Sequence, residues 1–189
     1  MSVYYDKYER GGAVHWNAYR YGLYNYKPLI DSSLEPFVNA PRGSVLELGV
    51  GDGVSAHLLT EMGFHVYGVD YNKRGFELLK ENTPHWDKIE TELIDIGLYM
   101  PDRVFDYMYS VNTIEHVENP KVFVELMKSV KEFAVIVTDD AKKLGRGSRY
   151  HHQEFTPESL VELFKDFKVE MIPIGNPQFF GIKIYANKT

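Results

Sequence analysis

The chain has 189 residues, of which 44% are hydrophobic and 25% are charged, and its formal net charge is −6. These values are ordinary for one globular domain, so we expect residues 1–189 to form a single domain. The acidic balance argues against a broad nucleic-acid-binding surface, and the absence of cysteine excludes disulfides and thiolate metal sites.

Residues 1–40 form an aromatic-rich segment ahead of the core, which we assign to residues 41–189. This segment holds half of the tyrosines, at positions 4, 5, 8, 19, 21, 24 and 26. Between about residues 13 and 30, apolar side chains recur at helical spacing, namely Trp16, Tyr19, Leu23 and Tyr26. We expect a helix laid across the sheet edge, and its tyrosines would also suit a lid over a binding pocket.

The strongest local signal lies in the run SVLELGVGDG at residues 44–53. Val45, Leu46 and Leu48 predict a buried strand, three alternating glycines predict a turn, and residues 54–62 predict a helix. Glycine suits a backbone that takes positive φ or that a ligand approaches closely. The start of the following helix offers unpaired backbone N–H groups.

The remaining predicted elements alternate between strands and helices. We expect strands at residues 65–70, 89–95, 104–109, 133–138, 169–174 and 179–186, and helices near residues 72–81, 122–130 and 157–164. This alternation predicts an α/β fold with a single Rossmann-like, doubly wound and mostly parallel sheet. The short link at residues 175–177 predicts a C-terminal antiparallel hairpin.

Polar groups are predicted where ligands bind in such sheets, beyond the carboxyl ends of the strands. They are the glycine turn, Asp70 after the second strand, Asp95 after the third, and residues 110–116 after the fourth. The glycine turn would let a ligand approach the backbone closely, and carboxylates at residues 70 and 95 could accept hydrogen bonds from ligand hydroxyl or amino groups.

These stretches, covering roughly residues 44–120, resemble the class I S-adenosylmethionine-dependent methyltransferases. The G-x-G-x-G spacing is similar to their first motif, whereas a dinucleotide fingerprint would need a glycine where Val54 stands. The run FDYMYSVNTIEHV at residues 105–117 resembles the small-molecule, ubiquinone-biosynthesis-like branch. The resemblance implies a seven-stranded sheet and S-adenosylmethionine as the cofactor. It also implies cofactor contacts from Glu47, Gly49, Gly51, Gly53, Asp70, Tyr71, Asp95, Ile96 and Ser110.

Three histidines are candidates for the base that takes the acceptor proton, because neutral imidazole titrates in the required range. His116 lies in the E-H-V motif, and His151 and His152 precede a Phe-Thr-Pro-Glu-Ser-Leu run that resembles small-molecule methyltransferases. We place His152 or His151 ahead of His116, which could instead only hold its loop. A metal shared by His151, His152 and the acids at 139 and 140 is disfavoured, because adjacent side chains in an extended segment point to opposite faces. We therefore expect no metal site.

The segment between the fifth strand and the last helix carries a basic patch in an acidic protein. Lys142, Lys143, Arg146 and Arg149 could attract an anionic acceptor, or they could belong to a solvated loop. We expect a methyltransferase acting on an oxygen or nitrogen atom of a small molecule, and the basic patch is the argument for an anionic one.

Other functions remain open. A non-catalytic cofactor-binding protein or a methyltransferase for RNA or protein is the alternative, and a nicotinamide-dependent oxidoreductase is disfavoured by the glycine spacing. The N-terminal residues lack the apolar run of a signal peptide, and no apolar run approaches the ~20 residues of a membrane span. We expect a cytoplasmic protein with no membrane partner.

Overall fold

A computed structural model describes residues 6–143 and 150–188, which build a seven-stranded sheet flanked by helices. The strand order is β3-β2-β1-β4-β5-β7-β6. The first five strands are parallel, and β7 runs antiparallel to both β5 and β6. The strands are β1 (Ser44–Leu48), β2 (His65–Asp70), β3 (Ile89–Leu93), β4 (Phe105–Val111), β5 (Val130–Asp139), β6 (Phe167–Ile172) and β7 (Phe179–Lys188).

Helices cover the two faces of the sheet because successive strand residues point to opposite sides. Leu46 and Leu48 of β1 belong to one buried apolar cluster together with α6 and α7, whereas Val45 belongs to a second cluster with α2 to α5. The helices are α1 (Asp6–Gly11), α2 (Val14–Tyr21), α3 (Tyr26–Val38), α4 (Val54–Glu61), α5 (Lys73–Asn82), α6 (Lys121–Leu126) and α7 (Pro157–Leu163). The predicted Rossmann-like sheet with a C-terminal antiparallel hairpin is therefore confirmed.

The N-terminal segment differs from its prediction. The single helix expected over residues 13–30 is wrong, because the chain breaks after α2 at Gly22, which adopts a left-handed φ of 64°. Tyr24 and Asn25 also have positive φ, so α3 begins a new helix in a new direction. Leu23 is consequently 44% exposed instead of buried. The tyrosines at positions 4 and 5 lie outside the described residues.

Within residues 6–143 and 150–188, no helix combines the length and the apolar character that crossing a bilayer would require.

Candidate functional site

A cavity of about 570 Å³ lies beyond the carboxyl ends of β1, β2 and β4. Its walls come from the glycine turn after β1, the segment after β2, the turn after β4 and the N-terminal helices. The predicted site residues that line it are Glu47, Gly49, Asp70, Tyr71, Asp95, Ile96, His116 and His152. Gly51, Gly53, Ser110 and His151 were also predicted, and they are not among its lining residues.

The glycine turn brings three parts of the chain close together. Gly49 has a φ of 78°, and a Cβ atom there would lie 2.1 Å from Thr113 Oγ1 in the turn after β4. A Cβ atom on Gly51, at a φ of 54°, would lie 2.3 Å from the hydroxyl oxygen of Tyr8. These two glycines therefore let the β4 turn and the N-terminal segment close on the cavity. Ser110 has a structural contact nearby, since its hydroxyl donates to the backbone oxygen of Leu48 at 3.0 Å.

Asp70 closes the carboxyl end of β2 and is only 8% exposed. Its Oδ2 accepts from the Gly51 N–H at 2.9 Å, and its Oδ1 accepts from the Asn72 N–H at 2.8 Å. Burial raises the pKa of Asp70, and these backbone bonds partly offset that rise. Because each carboxylate oxygen can accept more than one bond, both retain capacity for a ligand hydroxyl.

Asp95 and Ile96 follow β3 at the far end of the cavity. Asp95 is exposed and its Oδ1 accepts from the Gly97 N–H at 2.7 Å, whereas Ile96 is buried. An exposed carboxylate beside a buried aliphatic side chain suits a flat ring that has a polar edge.

Glu47 is a buried carboxylate in the cavity wall and is 2% exposed. Its Oε1 accepts from the Ser55 hydroxyl, and its Oε2 has no hydrogen-bond partner among the described residues. Burial raises the pKa of Glu47 to about 8. The unpartnered oxygen indicates a place for a donor, preferably a cationic one, that comes from outside the chain.

The N-terminal segment, which the sequence analysis considered as a lid, supplies one wall of the cavity. Asp52, between two glycines of the turn, accepts from the His15 backbone N–H and from His15 Nδ1, both at 2.9 Å. Its backbone oxygen accepts from Trp16 Nε1 at 2.7 Å. Lys7 Nζ lies 2.6 Å from His15 Nε2, and Lys7, Tyr8 and His15 all line the cavity. The sequence signal for this contact was Asp52, an acidic residue inside the glycine motif. Its partner His15 could not be inferred, because it lies 37 residues away in the chain.

The three predicted histidines occupy different places. His116 and His152 line the cavity, and burial lowers the pKa of His116 to about 4, so that its imidazole is neutral at pH 7. His151 packs edge-on against His116, with ring centroids 4.8 Å apart. The backbone N–H of His152 donates to the backbone oxygen of Glu115 at 2.8 Å. This bond joins the segment before α7 to the turn after β4.

The two described lysines of the basic loop are paired with carboxylates, which balance their positive charge. Lys142 Nζ lies 2.9 Å from both carboxylate oxygens of Glu158, and Lys143 Nζ lies 3.4 Å from Asp140 Oδ2. Neither lysine lines the cavity. The two arginines of the patch, at positions 146 and 149, lie outside the described residues.

Comparisons with known proteins agree with this geometry. Residues 46–134 match the family model described as a methyltransferase domain. An uncharacterized methyltransferase of Alkaliphilus oremlandii is 22% identical over 153 residues, which are 79% of this chain and 66% of that protein. The chain thus spans about two thirds of the length of this relative.

Solved structures show the same fold at low sequence identity. A complex of DhpI with SAH has a TM-score of 0.72 at 19% identity, covering 96% of this chain and 92% of the other. The magnesium protoporphyrin IX methyltransferase ChlM of Synechocystis PCC 6803 with bound SAH has a TM-score of 0.72 at 15% identity, covering 97% of each chain.

Proposed function

We propose that this chain is a class I S-adenosylmethionine-dependent methyltransferase that transfers a methyl group from this cofactor to an oxygen or nitrogen atom of a small molecule. The observation that carries the proposal is the cavity itself. It joins the predicted cofactor contacts of the glycine turn, Asp70 and Asp95 to two histidines, His116 and His152. A cofactor end and an acceptor end therefore share one enclosed space.

The cavity residues fit the cofactor. The unpartnered buried Oε2 of Glu47 suits a donor with positive charge, and S-adenosylmethionine carries an amino group and a sulfonium. Asp70 retains acceptor capacity for ribose hydroxyls, and Asp95 with Ile96 suits an adenine ring. When bound, the cofactor supplies an electrophilic methyl group, and the protein aligns the acceptor and excludes water.

His152 is the residue that we assign to removal of the acceptor proton. It lines the cavity, as the role requires. His116 also lines it, but its Nδ1 lies 3.0 Å from the backbone oxygen of Tyr150, an arrangement that orients the ring. His116 is therefore assigned to positioning, and His151 supports His116 from behind.

A small acceptor is favoured by how the cavity is walled. Lys7, Tyr8 and His15 cover it from the N-terminal side, which favours a compact acceptor over a polymer. ChlM, one of the structural neighbours, is named for a small acceptor, magnesium protoporphyrin IX. The argument for an anionic acceptor rests on the basic loop. It is weakened because both described lysines of that loop have carboxylate partners.

The experiment is isothermal titration with S-adenosylmethionine and S-adenosylhomocysteine, followed by an acceptor screen. Loss of a charge-assisted hydrogen bond is worth about 1.5–3 kcal/mol, so Asp70→Ala should weaken both ligands by about 10- to 100-fold. Asp70→Asn, which keeps one acceptor oxygen for the backbone, separates ligand binding from folding. Asp87→Ala is the matched control, because this exposed aspartate lies outside the cavity.

His152→Ala should lower turnover by about 100-fold or more while cofactor affinity stays within about twofold. Equal losses of cofactor affinity in the His152 and Asp70 variants would contradict the role assigned to the histidine. No binding of either cofactor by the unsubstituted chain would contradict the proposed function.

A further inference from the structure

Three potential metal ligands meet behind the wall of the cavity. Glu115 and His116 lie in the turn after β4, and His151 lies in the segment before α7. One ligand atom from each residue lies within 4.8 Å of the other two. The backbone bond from the His152 N–H to the Glu115 oxygen, 2.8 Å long, holds the two segments together.

Glu115 supplies a buried carboxylate oxygen that lacks a partner. The residue is 1% exposed, and its Oε2 accepts from the Thr138 hydroxyl at 2.9 Å. Its Oε1 has no hydrogen-bond partner among the described residues and lies 4.0 Å from His116 Nε2. A buried polar atom left in this way is uncommon in folded proteins and indicates a missing partner.

The two imidazoles are oriented by their Nδ1 atoms. His116 Nδ1 lies 3.0 Å from the backbone oxygen of Tyr150, which can only accept, so this nitrogen carries the proton and Nε2 carries the lone pair. His151 Nδ1 lies 3.2 Å from Glu154 Oε1, an acceptor that can take its N–H and leave Nε2 for a ligand. Donation of one ring N–H to a carbonyl or carboxylate is the usual support for a histidine that ligates a metal through its other nitrogen.

We propose that Glu115, His116 and His151 bind a divalent transition-metal ion. Ligand atoms about 2.1 Å from one tetrahedral ion lie about 3.4 Å apart, so binding would draw the 4.0 Å pair of Glu115 and His116 together by about half an ångström and the widest pair, at most 4.8 Å apart, by about 1.4 Å. Asp139 lies within reach as a fourth ligand, since its Oδ2 is 3.5 Å from His151 Nε2. Two imidazoles and a carboxylate suit zinc, manganese, iron or cobalt better than calcium or magnesium, which prefer oxygen ligands.

This site differs from the one that the sequence argued against. His151 and His152 do separate, since His152 lines the cavity and His151 packs on His116. The ion would take only His151 of the two and find Glu115 and His116 in the turn after β4, with Asp139, one of the acids considered from the sequence, within reach. No sequence pattern brings His151 to that turn, because the contact joins positions 35 residues apart.

The position has a consequence that rests on the proposed function. Because His116 lines the cavity, an acceptor hydroxyl could become a further ligand of the ion, which would lower the pKa of that hydroxyl. The hydroxyl proton would pass to His152, the oxygen would form a bond to the methyl carbon, and the carbon–sulfur bond would break to leave the neutral thioether.

The test is titration of the tag-free full chain with Zn²⁺ by calorimetry and with Co²⁺ by visible absorption, without cofactor or acceptor. We expect one ion per chain. His151→Ala and Glu115→Gln should each weaken binding by at least about 100-fold, since even supporting residues contribute 10- to 100-fold. His152→Ala, the neighbouring histidine outside the cluster, should change affinity by less than about twofold.

Circular dichroism of each variant checks folding, and if Glu115→Gln unfolds, the comparison of His151→Ala with His152→Ala decides alone. Absence of stoichiometric binding, or equal weakening by both histidine variants, would overturn the metal site. Binding of S-adenosylmethionine without binding of a metal would contradict the metal site and leave the proposed function intact. Binding of a metal without binding of S-adenosylmethionine would contradict the proposed function.

Discussion

The contact between Asp52 and His15 should decide whether the N-terminal wall stays closed over the cavity. Asp52 is fully buried and accepts two hydrogen bonds from His15 at 2.9 Å. Burial alone would raise the pKa of Asp52, but the attraction of His15, its hydrogen bonds and Lys7 outweigh burial and lower it. This carboxylate therefore stabilises docking above its unfolded-state pKa, near 3.8, and the contribution is lost as the pH falls through the folded-state pKa.

Asp52→Ala removes both bonds. At about 1.5 kcal/mol for each bond to a charged group, the free energy that docks the N-terminal segment should fall by about 3 kcal/mol, which is a factor of about 100 in its opening equilibrium. Most other contacts of the core remain, so we expect local undocking of α1 and α2 with the sheet intact. Since Lys7, Tyr8 and His15 line the cavity, cofactor affinity should fall as well.

Hydrogen exchange read by mass spectrometry measures this opening directly. Peptides covering residues 6–21 should exchange about 100-fold faster in Asp52→Ala, while peptides from β4 and β5 keep their protection. Asp31→Ala is the matched control, because Asp31 also joins the N-terminal segment but its ion pair with Lys27 is about half exposed and should contribute about 1 kcal/mol or less. Unchanged exchange of residues 6–21 in Asp52→Ala would refute the reasoning.

Two further predictions concern buried polar groups. Burial raises the pKa of Glu47 from 4.5 to about 8, so the stability of the ligand-free chain should fall by a few kcal/mol between pH 4.5 and 8, at about 1.4 kcal/mol per unit of pKa shift. Urea unfolding at pH 5 and pH 8.5 should show this fall, and Glu47→Gln should reduce it; the remainder would come from other buried acids such as Glu115, whose pKa burial also raises to about 8, and an equal fall in the variant would assign all of it to them. Ser33 Oγ and the buried Tyr109 hydroxyl lie 2.6 Å apart. Ser33→Ala strands that hydroxyl at a cost of about 1–3 kcal/mol, whereas Tyr109→Phe leaves Ser33 bonded to the Ile30 oxygen and should destabilise less in thermal unfolding; the reverse order would contradict this account.

The sheet could be predicted from sequence because its signals are local. The run at residues 65–70 matches β2 at both ends, and Val45, Leu46 and Leu48, whose apolar character predicts a buried strand, are all buried in β1. The N-terminal helix could not be predicted in this way. Gly22 sits within a stripe at good helical spacing, and the break there depends on where α3 packs against the sheet, which the spacing does not encode.

The same distinction between local signals and tertiary contacts holds for the residues of the candidate site. Asp70 and Asp95 could be located from sequence because parallel strands bring their carboxyl ends to one edge. The pairing of His15 with Asp52, and the approach of His151 to Glu115 and His116, could not be predicted, because both are tertiary contacts. A polar residue in a segment without a regular period has no predictable neighbour until the fold places one beside it.

The cavity owes its enclosure to these tertiary contacts rather than to the glycine motif alone. The turn after β1 supplies space, since Gly51 leaves room for the Tyr8 hydroxyl where a Cβ would lie 2.3 Å away. Asp52, the next residue, then holds His15 in place beside that hydroxyl. One dipeptide of the motif therefore both admits the N-terminal wall and binds it. We therefore expect cofactor binding and closure of the N-terminal segment to be coupled, because Lys7, Tyr8 and His15 of that segment line the cavity.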